Sequence, residues 1–313
     1  MTLPVGYLLF PDWLSPVIIP GLPLRWYGMM YLVAFALAYL LVMRQVKREE
    51  PKLNRDVVGD LAFWIILGLL LGGRLISALL YDTTGLYWSR PWLIFWPFDE
   101  GMRFTGLQGM SYHGGLLGGL LAGVLFCRRR GLSVWLWADR IAAAIPLGYT
   151  FGRVGNFING ELYGRVTDAP WGMIFPRAER FPVSLEWVAS LSRDLGIRAG
   201  SLVNLPRHPT QLYEAAGEGL LLWLFLWFVI RAKKRYDGFI MGWYLIGYGA
   251  VRFVIEYFRQ PDANLGFILQ LGSEQSIYRT GSLLNFTMGQ LLCALMILLG
   301  LAVLLIRRRS PLA

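Results

Sequence analysis

Seven long apolar stretches, each closed by charged or turn-forming residues, divide the chain. They run approximately over Leu24–Met43, Val57–Leu80, Tyr112–Cys127, Trp135–Phe151, Tyr213–Ile230, Gly238–Phe258 and Phe286–Ile306. Runs of roughly 18 or more apolar residues are the signature of membrane-spanning helices. The third and fourth fall short of the ~20 residues a span needs, so flanking residues must extend them. The pattern therefore predicts an all-α integral membrane protein with seven transmembrane helices. Two segments between the spans read as structured additions to one transmembrane domain covering 1–313. Residues 81–110 are rich in Trp and Pro (WSRPWLIFWPF) and read as an interfacial hairpin or short helix. Residues 160–207 mix polar residues with Pro and Gly, and Val183–Leu195 within them has the apolar spacing of a helix. They are expected to form a small external head. No repeat of about 20–50 residues is visible.

Composition agrees with this reading. Of 313 residues, 56% are hydrophobic and 16% charged, and mean hydropathy is +0.48, which is outside the range of ordinary soluble domains. Thirteen Trp and fifteen Tyr suit a protein with two lipid–water interfaces. The net charge of +10 raises nucleic acid as a partner, but the basic clusters lie in short loops beside apolar stretches. Topology and anionic lipid account for them better, and no nucleic-acid partner is expected. The clusters alternate: Arg44–Arg55 holds five Lys/Arg, Arg128–Arg130 three, Arg231–Arg235 four and Arg307–Arg309 three. The intervening segments hold two each or, like Arg153–Leu212 with seven arginines, are long enough to cross regardless of charge. This places the N-terminus outside, the C-terminus in the cytoplasm and the head in the periplasm. Residues 1–24 contain no Lys or Arg, so no cleavable signal peptide is expected.

With orientation set, polar residues acquire depths. Arg252 lies about 14 residues into the sixth span, roughly 20 Å from its cytoplasmic end. Arg252, Glu256 and Arg259 are spaced i, i+4, i+7 and share a helix face. Arg74 sits in the outer third of the second span. The two histidines, His113 and His208, fall at outer mouths of the third and fifth spans. Tyr27 lies at the outer end of the first, with Gln211 and Glu214 at that of the fifth. Gly148–Asp168 (GYTFGRVGNFINGELYGRVTD) packs Arg153, Asn156, Asn159, Glu161 and Arg165 among five glycines. Structural readings exist for each: a glycine-capped helix end with snorkelling arginines, a buried Arg252–Glu256 pair that fixes packing, an interfacial histidine. Asp139 and Arg140, near the cytoplasmic end of the fourth span, read as a structural or local pair. The gathering of polar groups from several spans at one depth, each costly in lipid, favours a site. Arginines with Asn and Tyr, without clustered carboxylates or Cys/His ligands, suit a phosphate. The depth suits one carrying acyl chains, and neither metal nor cofactor is expected.

Five motifs resemble the bacterial prolipoprotein diacylglyceryl transferases: GRVGNFINGELYGR at 152–165, SYHGG at 111–115, HPTQLYE at 208–214, RWYG at 25–28 and RFVIEYFRQPD at 252–262. The likeness covers nearly the whole chain in order. It implies an inner-membrane enzyme that transfers diacylglycerol from phosphatidylglycerol to the lipobox cysteine thiol of a prolipoprotein. A thioether forms and glycerol 1-phosphate is released on the periplasmic side. Carried residue by residue, the resemblance makes Arg153 and Arg252 essential, with His113 as the base. Tyr27, Asn156, Glu161, Gly164 and Glu256 also fall on family positions, and Arg259 joins them through its place on the Arg252 face. The stretch between Asp168 and Arg207 matches no family pattern. Chemically, a thiol with pKa near 8.5 benefits from a base or a positive field, and fixed arginines act where the departing phosphate gains charge. A transporter of an anionic lipid or solute is the alternative use of the same arginines, although transporters show repeats and midplane charges.

Cys127 and Cys293 both lie in apolar runs and read as small core residues. Replacing both with Ala is expected to leave thioether formation nearly intact. Loss of product in a lipobox-peptide assay would place one of them in the chemistry.

Overall fold

The computed structural model describes residues 6–22, 24–98, 101–103, 109–197, 200–261, 265–272, 276–279 and 281–309. Parts of both expected inserts, 99–100 and 104–108 in the first and 198–199 in the second, lie outside the described residues. A short strand β1 (Leu8–Leu9) precedes the helices α1 (Trp26–Glu49), α2 (Asp56–Leu80), α3 (Leu86–Ser89), α4 (Tyr112–Arg129), α5 (Val134–Ala142) and α6 (Ile145–Asn159). Strands β2 (Met173–Ile174) and β3 (Phe181–Pro182), helix α7 (Glu186–Asp194) and strand β4 (Leu202–Val203) come after α6. Next come α8 (Thr210–Lys233), α9 (Phe239–Ile255), β5 (Phe267–Gln270), β6 (Asn285–Thr287) and α10 (Met288–Arg307).

Four of these, α1, α2, α8 and α10, are long and apolar enough to cross a membrane; α9 is apolar but shorter. At 1.5 Å per residue, 20 to 25 residues cover a ~30 Å hydrocarbon core. The outward surface agrees, because leucines such as Leu116, Leu117, Leu120, Leu121 and Leu298 are each more than half exposed. So much bare leucine requires lipid as its solvent. The protein is a mainly helical membrane protein.

The stretch expected as one helix over Trp135–Phe151 is two. α5 stops at Ala142 and α6 starts at Ile145, because Pro146 in the first turn of α6 has no N–H to continue the ladder and restricts the residue before it. The break gives α6 its own start and direction. This helix carries Arg153 and Asn156 and is closed by Gly160 in the left-handed region at φ 65°. α8 departs from regular geometry too, widening into π-helical turns over Ala215–Leu221 and Phe225–Ile230. Gly219 lets Thr150 of α6 lie directly against the first of these. The Thr150 hydroxyl donates to the Ala215 carbonyl at 3.3 Å, serving a backbone group there.

The chain packs as two compact groups, one drawing on the chain up to Ala38 and from Asp139 onward, the other on Tyr39–Ala138. In the first, Ala142 and Ala143 pack with Leu222, Leu226 and Ile230 of α8 and Ile240 of α9. Asp139 there caps α9, accepting from Gly238 N at 3.0 Å and Met241 N at 2.9 Å, with Lys234 at 3.2 Å. The polar stretch after α6 has its own core of Val166, Phe181, Val188, Val203 and Leu205. A second core joins Phe10, Met173, Phe175 and Ala178. β1 pairs parallel with β2, and β3 pairs antiparallel with β4. Helix α7 lies where the apolar spacing of Val183–Leu195 predicts one.

In the second group α2 and α4 touch backbone to backbone, since a Cβ on Gly118 would run into the Gly68 carbonyl. Ser111 caps α4 by accepting from Gly114 N at 3.1 Å. Arg74 of α2 reaches back to the segment after its own helix. Its guanidinium donates to the Ile94 carbonyl through Nε, to Gly109 O at 3.3 Å and to the Tyr87 hydroxyl at 3.0 Å. Tyr87 also stacks beneath it, 4.9 Å from ring centroid to the guanidinium carbon. Removing Arg74 strands the buried Ile94 carbonyl, at about 1–3 kcal/mol. Arg74→Ala is expected to raise hydrogen exchange across residues 86–94 and lower the melting temperature in detergent; unchanged exchange there would contradict the clamp.

Candidate functional site

Arg153 stands on α6 one turn after Tyr149. Its Nε–H is accepted by the Tyr149 hydroxyl at 2.7 Å, and the guanidinium lies over that ring at 4.8 Å from its centroid. Arg153 Nη1 points to Asn156 Oδ1 at 3.5 Å. Among the described residues no acceptor meets its Nη2.

The start of α8 and the wide turn that follows it deliver the counter-charge. Glu214 is fully buried and lies 2.6 Å from Arg252 Nη1, 3.0 Å from Arg259 Nη1 and 2.9 Å from Arg153 Nε. One turn on, Glu218 lies 3.5 Å from Arg252 Nη1 and accepts from the Tyr149 hydroxyl at 2.5 Å. Glu256, just past the end of α9, meets Arg252 Nη2 at 3.0 Å. It is held in turn by the Thr287 hydroxyl at 3.1 Å. Thr287 caps α10 in a reciprocal box with Gln290. Gly289 leaves room for the Glu256 carboxylate, which a Cβ would strike. Three guanidiniums thus face three carboxylates in a buried cluster, where removing one partner would strand uncompensated charge. Arg252 has both Nη groups on carboxylates, whereas Arg259 shows only one such contact.

A second polar arm continues from Asn156. Its Nδ2 donates to Glu161 Oε1 at 3.0 Å, where Asn159 Nδ2 also donates at 3.1 Å. Gln211 Nε2 holds the Glu161 carbonyl at 2.6 Å. Tyr27 of α1 flanks Gly155 and shares a hydroxyl contact with Tyr31 at 3.0 Å.

Of the residues expected in the site, Arg153, Asn156, Glu161, Arg252, Glu256 and Arg259 form one chain of contacts through Glu214. Gly164 has a steric reason to be Gly: a Cβ there would meet the Phe258 carbonyl, Thr210 and His208. Its N–H donates to His208 O at 2.8 Å. His113 belongs to the other compact group, exposed at the start of α4 with its ring edge-on to Tyr112 at 5.7 Å. Arg74 clamps its own group's insert. Reasoning from the sequence passed over Tyr149 and Glu218. Glu218 lies four residues after Glu214 and Tyr149 four before Arg153, a helical spacing that was the available signal.

Geometry and fold define a helical membrane protein with a buried cluster of three arginines and three carboxylates, Glu214, Glu218 and Glu256; the site was expected to lack clustered carboxylates, and the packing of α8 against α6 and α9 brings them together. The family model of prolipoprotein diacylglyceryl transferases matches residues 16–306. The chain belongs to that family. Relatives include the phosphatidylglycerol–prolipoprotein diacylglyceryl transferases of Treponema denticola, 50% identical with 95% of this chain and 93% of that one covered, and of Treponema pallidum, 48% identical with 94% and 93% covered. That of Chlorobaculum tepidum is 42% identical, with 94% and 90% covered.

His208 is buried, with Nδ1 3.1 Å from the Tyr213 hydroxyl and its ring against Phe258. Burial pushes its imidazole down to about 4; Asp168 opposes this and Arg165 adds to it. The folded protein therefore holds it neutral while the unfolded chain, near 6.5, takes up a proton. Its contribution to stability is full above about pH 6.5 and is lost as pH falls toward 4. Thermal melts in detergent are expected to fall over that window, and His208→Gln to flatten the fall. An equally steep fall in the variant would remove His208 as its source.

Proposed function

We propose that this protein is a phosphatidylglycerol–prolipoprotein diacylglyceryl transferase of the bacterial inner membrane. The lipobox cysteine sulfur of the precursor attacks the diacylglycerol carbon that bears the phosphate. A C–S bond forms, the C–O bond to phosphate breaks, and the electron pair leaves on glycerol 1-phosphate. Family membership over 16–306 carries the activity. The guanidinium cluster around Glu214 supports the assignment of the phosphate site.

In this reading Arg153 is the direct phosphate donor through its unengaged Nη2, with Arg259 beside it. Arg252, braced by three carboxylates, supplies fixed positive charge, and the incoming phosphate displaces one carboxylate contact to reach it. Glu256 orients Arg252; Asn156, Glu161 and Tyr27 hold glycerol oxygens, and Gly164 keeps the flanking segments close. The transition state adds charge to the phosphate oxygens as the leaving group becomes a monoester dianion. Preorganised donors act most strongly on that developing charge. His113 takes the thiol proton. The seven-span arrangement, N-terminus outside, with residues 81–110 and 160–207 as periplasmic additions to one domain, puts the site where secreted precursors arrive.

The test is thioether formation by purified protein with phosphatidylglycerol and a lipobox peptide. Wild type is expected to turn over, while Arg153→Ala and Arg252→Ala lose about 100- to 1,000-fold in kcat/KM. Arg153→Lys is expected to recover little, since an ammonium cannot reproduce the planar fork. A wild type that binds the lipid through these arginines but makes no thioether would instead favour transport or simple binding.

A further inference from the structure

We propose that Tyr149 is a positioning residue for Arg153: its hydroxyl takes the Nε–H that would otherwise point at Glu214, whose Oε2 lies 2.9 Å from the same nitrogen, so the Nη edge stays turned to the phosphate. The proposal rests on the transferase reading of the site.

Hydrogen-bond direction at this hydroxyl is determined by its partners. Arginine can only donate, so the oxygen accepts Arg153 Nε–H at 2.7 Å. The single hydroxyl proton is then left for Glu218 Oε2, at 2.5 Å. The phenol is thereby fixed from both sides, and the ring beneath the guanidinium at 4.8 Å adds a face-on attraction. Tyr248 flanks the same ring edge-on, with centroids 5.8 Å apart.

Glu214 is the competitor. Its Oε2 lies only 2.9 Å from Arg153 Nε, yet this buried oxygen receives no directed hydrogen bond. A charged acceptor outbids a neutral hydroxyl when nothing else constrains the donor. With the hydroxyl gone, Nε–H turns to Glu214, the guanidinium rotates with it, and Nη2 leaves its open position. Glu218 anchors the phenol against that pull from the wide turn of α8. The two residues that the sequence presents as unremarkable members of apolar runs therefore set the aim of the phosphate donor.

Tyr149→Phe keeps ring and volume and removes one oxygen. The expected result is a kcat lower by at least fivefold with KM for phosphatidylglycerol changed less than twofold, per folded molecule and with a melting temperature near wild type. Glu218→Gln keeps an acceptor for the hydroxyl and is expected to lose less. Combined with Tyr149→Phe, it should add almost nothing, because both act on one hydrogen-bond chain. A Tyr149→Phe kcat loss below fivefold, a change confined to KM, or multiplying losses in the double variant would each overturn the proposal. A wild type without thioether activity would instead bring down the transferase reading on which it rests.

Discussion

Everything at the centre of this protein depends on one buried carboxylate. Glu214 has no exposed surface and touches guanidiniums from three separate stretches of chain: Arg153 of α6, Arg252 of α9 and Arg259 beyond it. Burying one such charge unpaired in hydrocarbon would be prohibitive, so each partner makes the others tolerable. The cluster also makes three elements interdependent, since none can shift without uncovering charge. The guanidiniums are thereby held in fixed positions, which is the condition for donors to stabilise charge that appears only during reaction.

The backbone around the cluster is shaped to deliver it. Pro146 ends the preceding helix and restarts α6 so that Tyr149, Arg153 and Asn156 lie along successive turns. The regular start of α8 ends on Glu214, and the widened turn that follows carries Glu218 and is served by the Thr150 hydroxyl. At the far side, the cap of α10 holds Glu256 through Thr287, and Gly289 clears its path. Irregular helix geometry in a membrane protein is tolerable where such side chains serve the freed backbone groups. Here the irregularities sit beside the buried Glu214 cluster.

Arg74 and Arg153 sit in similar sequence settings, LGGRLISALLY and FGRVGNF, yet do different work. Arg74 donates mainly to main-chain carbonyls and to a tyrosine, and so it fastens a loop. Arg153 leaves part of its fork without a protein acceptor among the described residues. The difference lies in what surrounds each guanidinium, and a local sequence pattern cannot express that.

The sequence by itself determined the apolar elements and the motifs, and it singled out Arg153, Asn156, Arg252 and Glu256, which the structure joins in one chain of contacts. Hydrophobic periodicity and the cost of charge in lipid act locally along the chain and are therefore readable from it. Only the tertiary structure decided which charges pair. Glu214 braces three arginines that lie 61, 38 and 45 positions away, and Glu218 reaches Tyr149 across 69. Such contacts are set by how α6, α8 and α9 pack, through Gly219 against Thr150 and the wide turn beside them, and no spacing rule encodes them. For the same reason helical spacing alone, i, i+4 with Glu214 and with Arg153, did not single out Glu218 and Tyr149 as site residues.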